Sequence, residues 1–333
     1  NAVSDQPRRQ QNRQSYLILI DLEVRFENVA DTDFSLRANQ QWVKEIVEDW
    51  SGKTLATVPL QIAGEEITTE ILAEGYDPAQ PKEVAYRYSL ANPDQINTAL
   101  ETATNAQTTW EKRPIAERRA LLIEVANEMA KQRGNFIGVM LRDAGKQVEE
   151  SDPEISEAID FANYYARTFD TLEDEFADVE HSALGVVLVT PPWNFPLAIP
   201  AGGVLSALMA GNTVIIKPAP ETVLTAWHMV NAMWDAGIPR DVVQVVQGDG
   251  RTGGASRCAG CRYRRGSFNH AEYSGNGTAS FVDTKGKIVF STKLKIEMGL
   301  NEISLQVASV PAGQYLLKLN VNKSMLSRKV LKN

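Results

Sequence analysis

An α/β fold is predicted, with a partial doubly wound sheet, helices ahead of it and a small antiparallel β module behind it. Three observations predict it. Short apolar runs alternate with helix-length segments between residues 186 and 246. Apolar residues recur at helical spacing from Pro93 to Gly134, and brief strand-like runs separated by turn residues fill the chain after Phe281.

In chain order, residues 1–25 read as disordered or linker. The stretch to Gln14 is polar and rich in Gln and Arg. The apolar run Tyr16 to Ile20 is followed at once by Asp21, Glu23 and Arg25, which makes it too short for the core of a secretory signal. The chain opens at Asn1 without a methionine and reads as a fragment or processed product. From Asn92-Pro93-Asp94 a capped helix starts, with Ile96, Ala99, Leu100 and Ala103 on one face and Trp110 in the core. Pro114 opens the next helix, which turns Leu121, Leu122, Val125 and Met129 inward. Asp152-Pro153-Glu154 caps a third, running through Phe161 and Tyr165 with Glu154, Glu157 and Asp160 as a solvated face.

Val186 to Val189 is rich in β-branched residues, as expected of a strand buried on both faces, and Pro191-Pro192 stops it. Pro196 to Ala210 is apolar and of buried-helix length, with Gly202-Gly203 allowing close backbone approach. Val214 to Ile216 forms a second strand, Thr222 to Trp234 a helix ended by Gly237-Ile238-Pro239, and Val242 to Val246 a third strand leading to a glycine turn. This rhythm is a doubly wound sheet whose ligands bind at the carboxyl ends of the strands, where Asn194, Lys217 and Gly250 fall. Each has a bland reading: Asn after a strand forms turns, Lys there is a solvated end, and Gly-x-Gly alone is weak. Only their joint occurrence carries weight.

Pro192-Trp-Asn-Phe-Pro196, Gly211-Asn-Thr-Val-Ile-Ile-Lys-Pro218 and Gly248-Asp-Gly-Arg-Thr-Gly-Gly254, in this order and spacing, resemble the aldehyde dehydrogenase superfamily. The resemblance implies that Asn194 donates its amide to the oxyanion of a thiohemiacetal. It also implies NAD as cofactor, with Pro192 and Trp193 lining the nicotinamide side, Lys217 bonding the adenosine ribose, and Gly250 and Gly254 passing close to the pyrophosphate. Phe26 to Asn39, Asp143-Ala-Gly-Lys146 and Ser156 to Ala166 look like the glutamate semialdehyde (1-pyrroline-5-carboxylate) dehydrogenases, most of all the dehydrogenase part of the bifunctional proline-utilisation proteins. The match runs over residues 26–254 and implies NAD-dependent oxidation of L-glutamate 5-semialdehyde to glutamate in proline catabolism. Family members are usually dimers or larger, which is doubtful for this chain because the strands and flap that oligomerise lie mostly outside the matched part.

The chemistry of the class needs a thiolate nucleophile and a carboxylate that activates water. The Gly-Gln-x-Cys and Glu-Leu-Gly-Gly type loops that carry them in the family are not found, and Glu297-Met-Gly299 is only superficially like the second. The chain is therefore expected to be inactive by itself. Residues 255–280 form an unmatched segment, rich in Arg and without apolar periodicity up to Gly277, where the family needs a helix; a shifted reading frame or assembly join near Ala255 accounts for the change. Cys258-Ala-Gly-Cys261 with His270 offers at most three metal ligands, and no second pair closes a zinc site, so no metal is expected.

Residues 281–333 carry strand-like runs at Ile288–Phe290, Leu294–Ile296, Ile303–Leu305, Tyr315–Leu319 and Lys329–Lys332, read as a small sandwich. With Asp283-Thr-Lys-Gly-Lys287, Pro311-Ala-Gly-Gln-Tyr315 and a basic end, this segment resembles the C-terminal sorting domain of type IX secretion. The dehydrogenase part reads as cytoplasmic, whereas the tail implies a secreted or surface-attached module. At 333 residues and 43% hydrophobic the chain is ordinary for globular proteins. A net charge of -8 argues against a nucleic-acid partner, and no apolar run reaches membrane-spanning length. The expected partner is a small-molecule aldehyde.

Overall fold

In the computed structural model the described residues are 11, 13, 26–175, 182–248, 275–283, 287–296, 311, 313–321 and 324–332. They fall into two units, Asn1–Cys261 and Arg262–Asn333, each described by itself.

The first unit is built on a five-stranded sheet of order β2-β1-β7-β6-β5. Its parallel part is β5 (Val186–Val189), β6 (Thr213–Ile216) and β7 (Val243–Val245), joined by α6 (Ala198–Met209) and α7 (Val223–Asp235). A strand buried on both faces needs apolar side chains in both directions, and β6 has them. Val214 and Ile216 enter the core formed with α6, α7, α3 (Ile115–Lys131) and α5 (Val148–Glu175). Ile215 faces a second core, with Ala99 and Ala103 of α2 (Pro93–Trp110). The glycine pair allows the close packing: a methyl group on Gly202 would sit 3.3 Å from the Phe161 ring, and one on Gly203 3.2 Å from Val189. Gly237, at φ 95, ends α7.

The remaining helices are α1 (Arg37–Ser51) and α4 (Arg133–Ala144). The start of α2 is as the sequence predicts: the Asn92 side chain accepts from Gln95 N–H at 2.9 Å, and the Gln95 side chain closes the capping box. Trp110 is in the core, its indole N–H donating to the Leu208 carbonyl at 3.2 Å.

Three expectations need correction. Among the described residues β5 is the sheet edge, with Leu188 45% exposed, so it is not buried on both faces. Helix α5 begins at Val148 and carries Pro153 inside it, so Asp152 does not cap it. Asp152 is instead fully buried, 2.7 Å from Arg133 Nη1, and accepts from Thr32 N–H at 2.6 Å and Thr32 Oγ1 at 2.5 Å. A buried carboxylate needs such partners, and tertiary pairing overrode the cap signal. The solvated face also fails: Glu157 is exposed, but Glu154 is 2% and Asp160 9% exposed. Asp160 accepts from Asn28 Nδ2 at 2.7 Å and Val29 N–H at 2.9 Å.

Two hairpins escaped the sequence reading. The strands β1 (Leu60–Ile62) and β2 (Glu65–Ile67) turn through Ala63 and Gly64, both at positive φ, and β1 pairs antiparallel with β7. The pair β3 (Leu72–Tyr76) and β4 (Val84–Ser89) forms a separate two-stranded sheet.

The second unit is a four-stranded antiparallel sheet of order β11-β10-β8-β9 among the described residues. Its strands are β8 (Gly275–Val282), β9 (Ile288–Ile296), β10 (Gly313–Val321) and β11 (Ser324–Lys332). The expected runs Ile288–Phe290 and Leu294–Ile296 are one strand, and β8 starts at Gly275, inside the stretch read as loop, because pairing with β9 and β10 recruits weakly apolar residues. The run Ile303–Leu305 lies outside the described residues. Two motifs find their reasons here. Asp283 exchanges bonds with Lys287 across the β8–β9 turn, both at 2.9 Å, and Tyr315 Oη donates to the Pro311 carbonyl at 2.9 Å.

Candidate functional site

The parallel strands end in line. Lys217 N–H donates to Val189 O at 2.9 Å and Val246 N–H to Ile216 O at 3.0 Å, so the carboxyl ends of β5, β6 and β7 form one rim. Three expected site residues follow β5 directly: Pro192, Trp193 and Asn194 are all exposed on the loop that leads to α6. Lys217 leaves β6 half-buried, its Nζ donating to the Pro218 carbonyl at 3.3 Å. Gly250 and Gly254 lie outside the described residues, as do both cysteines, His270 and Glu297-Met-Gly299.

The loop is anchored by a carboxylate that the sequence reading had placed in solvent. Helix α6 has no side-chain cap of its own; Glu154 Oε1 from α5 accepts from Leu197 N–H at 2.7 Å and Ala198 N–H at 3.0 Å. An acidic group at the first turn meets unpaired amides and the positive end of the helix dipole. The other oxygen, Oε2, receives Lys146 Nζ at 2.5 Å, and that ammonium lies 4.4 Å over the Phe195 ring. Trp193, Asn194 and Phe195 thus line an open cavity of ≈ 430 Å³ together with Lys146, Pro153 and Glu154.

The segment Asp143-Ala-Gly-Lys146 brings this about. Gly145, at φ 64, ends α4 and redirects the chain so that Lys146 reaches the cavity. Asp143 faces the opposite way, fully buried. It accepts from Tyr86 Oη at 2.5 Å, from Thr225 N–H at 2.7 Å and from Thr225 Oγ1 at 2.8 Å, closing the first turn of α7. Burial pushes the Asp143 carboxyl up from 3.8 to about 6, against the pull of those donors. The same burial, with the Asp143 charge beside it, raises the Tyr86 phenol well above its usual range. On α7, burial and then nearby Lys53 lower His228 from 6.5 to about 4.

Residues 67–264, more than half of the chain, match the sequence profile described as the aldehyde dehydrogenase family. The chain belongs to the aldehyde dehydrogenase family. Residues 267–333 match the profile of a secretion system C-terminal sorting domain. Among curated relatives, the 1-pyrroline-5-carboxylate dehydrogenase of Staphylococcus haemolyticus is 34% identical over 235 residues, which is 68% of this chain and 46% of that one. The bifunctional protein PutA of Escherichia coli is 39% identical over 215 residues, 63% of this chain and 16% of that one. Among solved structures, a 1-pyrroline-5-carboxylate dehydrogenase from Thermus with bound NAD has a TM-score of 0.65 at 30% identity, covering 70% of this chain and 47% of that one. PutA from Bdellovibrio bacteriovorus has a TM-score of 0.67 at 30% identity, over 70% of this chain and 25% of that one. This aldehyde dehydrogenase chain spans about half the length of the dehydrogenases it matches. No helix among its described residues is long and apolar enough to cross a membrane.

Lys146 and Glu154 are the site-lining residues missed by sequence reasoning. The family-like Asp-Ala-Gly-Lys run was the available signal for the first. Nothing local marks Glu154, whose partners are Lys146, ahead of its own helix, and the Leu197 and Ala198 amides at the start of α6.

Proposed function

We propose that this chain carries the cofactor-binding half of an NAD-dependent aldehyde dehydrogenase acting on L-glutamate 5-semialdehyde, and that by itself it binds the dinucleotide without turnover. The observation that carries the reading is the rim of three parallel strand ends with Lys217 and the Pro192–Asn194 loop on it, in a chain of this family.

The residues present fit the cofactor. Lys217 Nζ makes one hydrogen bond among the described residues, to a backbone carbonyl, so an ammonium with three donors keeps capacity for ribose hydroxyls. Exposed Pro192 and Trp193 offer an apolar wall to a nicotinamide ring. When bound, NAD supplies the hydride acceptor. Asn194 would offer its amide to the oxyanion once a nucleophile had added to the aldehyde, and the Lys146–Glu154 pair holds the loop that presents it. Gly250 and Gly254 are assigned to the pyrophosphate turn. Turnover needs a thiolate and a base that the chain's recognisable motifs do not provide.

Isothermal titration of the full chain with NAD tests the reading: saturable binding that weakens in Lys217→Ala supports it, and no binding in either removes it. A second reading, an exported or surface-attached non-catalytic module, is favoured by the sorting-domain match at residues 267–333. Fractionation of the producing cells separates the two, since protein confined to the cytosol contradicts export.

A further inference from the structure

We infer that the cavity between α5 and the segment 26–31 is a binding site for a small organic cation, an alkylammonium group held in a corner of aromatic rings beside three carboxylates.

This second cavity, of ≈ 470 Å³, is large enough for a small molecule. Its floor is one face of α5, where Glu157, Asp160, Phe161 and Tyr164 recur at helical spacing and so supply rings and carboxylates together. Phe26 and Asp31 bound it on the other side.

Four rings line it in a connected row. Phe26 meets Tyr164 edge to face, with centroids 5.5 Å apart and planes at 79°, and Tyr164 meets Tyr165 at 6.0 Å and 71°. Tyr165 in turn stacks on Phe161 at 5.8 Å and 8°. Planes that stand nearly perpendicular form a corner, and the electron-rich faces of such rings attract a cation. Packing against Gly202 of α6 accounts for Phe161. It does not account for Tyr164, which is 47% exposed.

The charge around the rings has one sign. Asp31, Glu157 and Asp160 line the cavity, no Lys, Arg or His does, and none of the three carboxylates forms an ion pair among the described residues. Burial raises the Asp160 carboxyl against the pull of its Val29 and Asn28 donors, and the Asp31 charge adds to the rise. Arg133, which opposes it weakly, is committed to Asp152 at 2.7 Å and to Ser156 at 2.9 Å.

The neighbouring cavity shows what this combination of groups holds. There the Lys146 ammonium lies between the Glu154 carboxylate, at 2.5 Å, and the Phe195 ring, at 4.4 Å. Beside α5 the same ring-and-carboxylate pairing recurs without a cation from the described chain, so a ligand supplies it. Exposed carboxylates alone hold cations weakly, and the rings give the preference for an alkylammonium over sodium. The inference does not depend on whether the chain binds NAD.

The test is isothermal titration of the full chain with tetramethylammonium chloride in sodium chloride of equal concentration. Neopentyl alcohol, neutral and of similar shape, is the control. Saturable binding is expected, at least about five-fold tighter for tetramethylammonium than for the alcohol. Tyr164→Phe keeps the ring and should bind within about two-fold of wild type, whereas Tyr164→Leu should weaken binding roughly five-fold. Glu157→Gln, at an exposed position, should weaken it by about two-fold or more. Unchanged tryptophan emission verifies that each variant is folded. Equal affinity for the alcohol, no saturable binding above the sodium background, or unchanged affinity in either Tyr164→Leu or Glu157→Gln overturns the proposal.

Discussion

Asp143, buried, and His228, partly buried, both in the first unit, respond to pH in opposite senses, and replacing either one should expose the other. Burial holds the Asp143 carboxyl at about 6 instead of 3.8, so between those values the folded chain binds the proton more tightly than the unfolded chain does. Its contribution to stability is full below 3.8 and is lost as pH rises through 6. Burial holds His228 at about 4 instead of 6.5, so the folded chain binds that proton less tightly. This contribution is full above 6.5 and is lost as pH falls through 4. Each shift is worth roughly 3 kcal/mol across its window, and the windows overlap with opposite sign, so the two largely cancel in the wild type. In His228→Gln, which stays neutral and keeps an acceptor for Asn135, stability relative to wild type should rise by about 3 kcal/mol between pH ~7 and ~4. In Asp143→Asn it should fall over the same descent. Urea unfolding followed by tryptophan emission isolates this unit, because all six tryptophans lie within residues 42–234. A difference between His228→Gln and wild type that stays constant over this pH range refutes the reasoning.

Lys217→Ala should weaken NAD binding about ten-fold in calorimetric titration while leaving the urea midpoint unchanged, since among the described residues its ammonium bonds only a backbone carbonyl. Glu154→Gln keeps an oxygen for the two α6 amides but leaves the largely buried Lys146 ammonium without its counter-charge. A loss of about 3 kcal/mol is expected in denaturant unfolding, with part of it restored when Lys146→Met is added. Gly138→Ala would place a methyl carbon 2.0 Å from the Trp50 ring and should cost roughly 1–3 kcal/mol, whereas Gly248→Ala meets nothing within 4 Å and should be near neutral.

The parallel strands were legible because burial on both faces demands apolar runs such as Val214–Ile216 and the valine-rich Val242–Val246, broken only by Gln244, which few other elements share. The start of α2 was legible because its cap is made entirely by Asn92 and Gln95, neighbours in sequence. The start of α5 was not: Asp152 carries a cap signature, yet its partners Thr32 and Arg133 lie far away along the chain. Glu154 was misread for the same reason, since a carboxylate at helical spacing looks solvated until Leu197, Ala198 and Lys146 close on it. The β1–β2 hairpin was signalled only by Ala63-Gly64, and its place in the sheet depends on a single antiparallel register with β7. Of the site itself, the strand-end positions of Asn194 and Lys217 were legible, while the Lys146–Glu154 brace beneath Asn194 required the fold.

The proposed function holds that the chain binds the dinucleotide and lacks the sulfur and acid that complete the reaction. The most direct measurement is formation of reduced nicotinamide by the full chain at saturating NAD and L-glutamate 5-semialdehyde. The account predicts bound cofactor and no product above the uncatalysed rate. Sustained turnover that is abolished by alkylating Cys258 or Cys261 would contradict it.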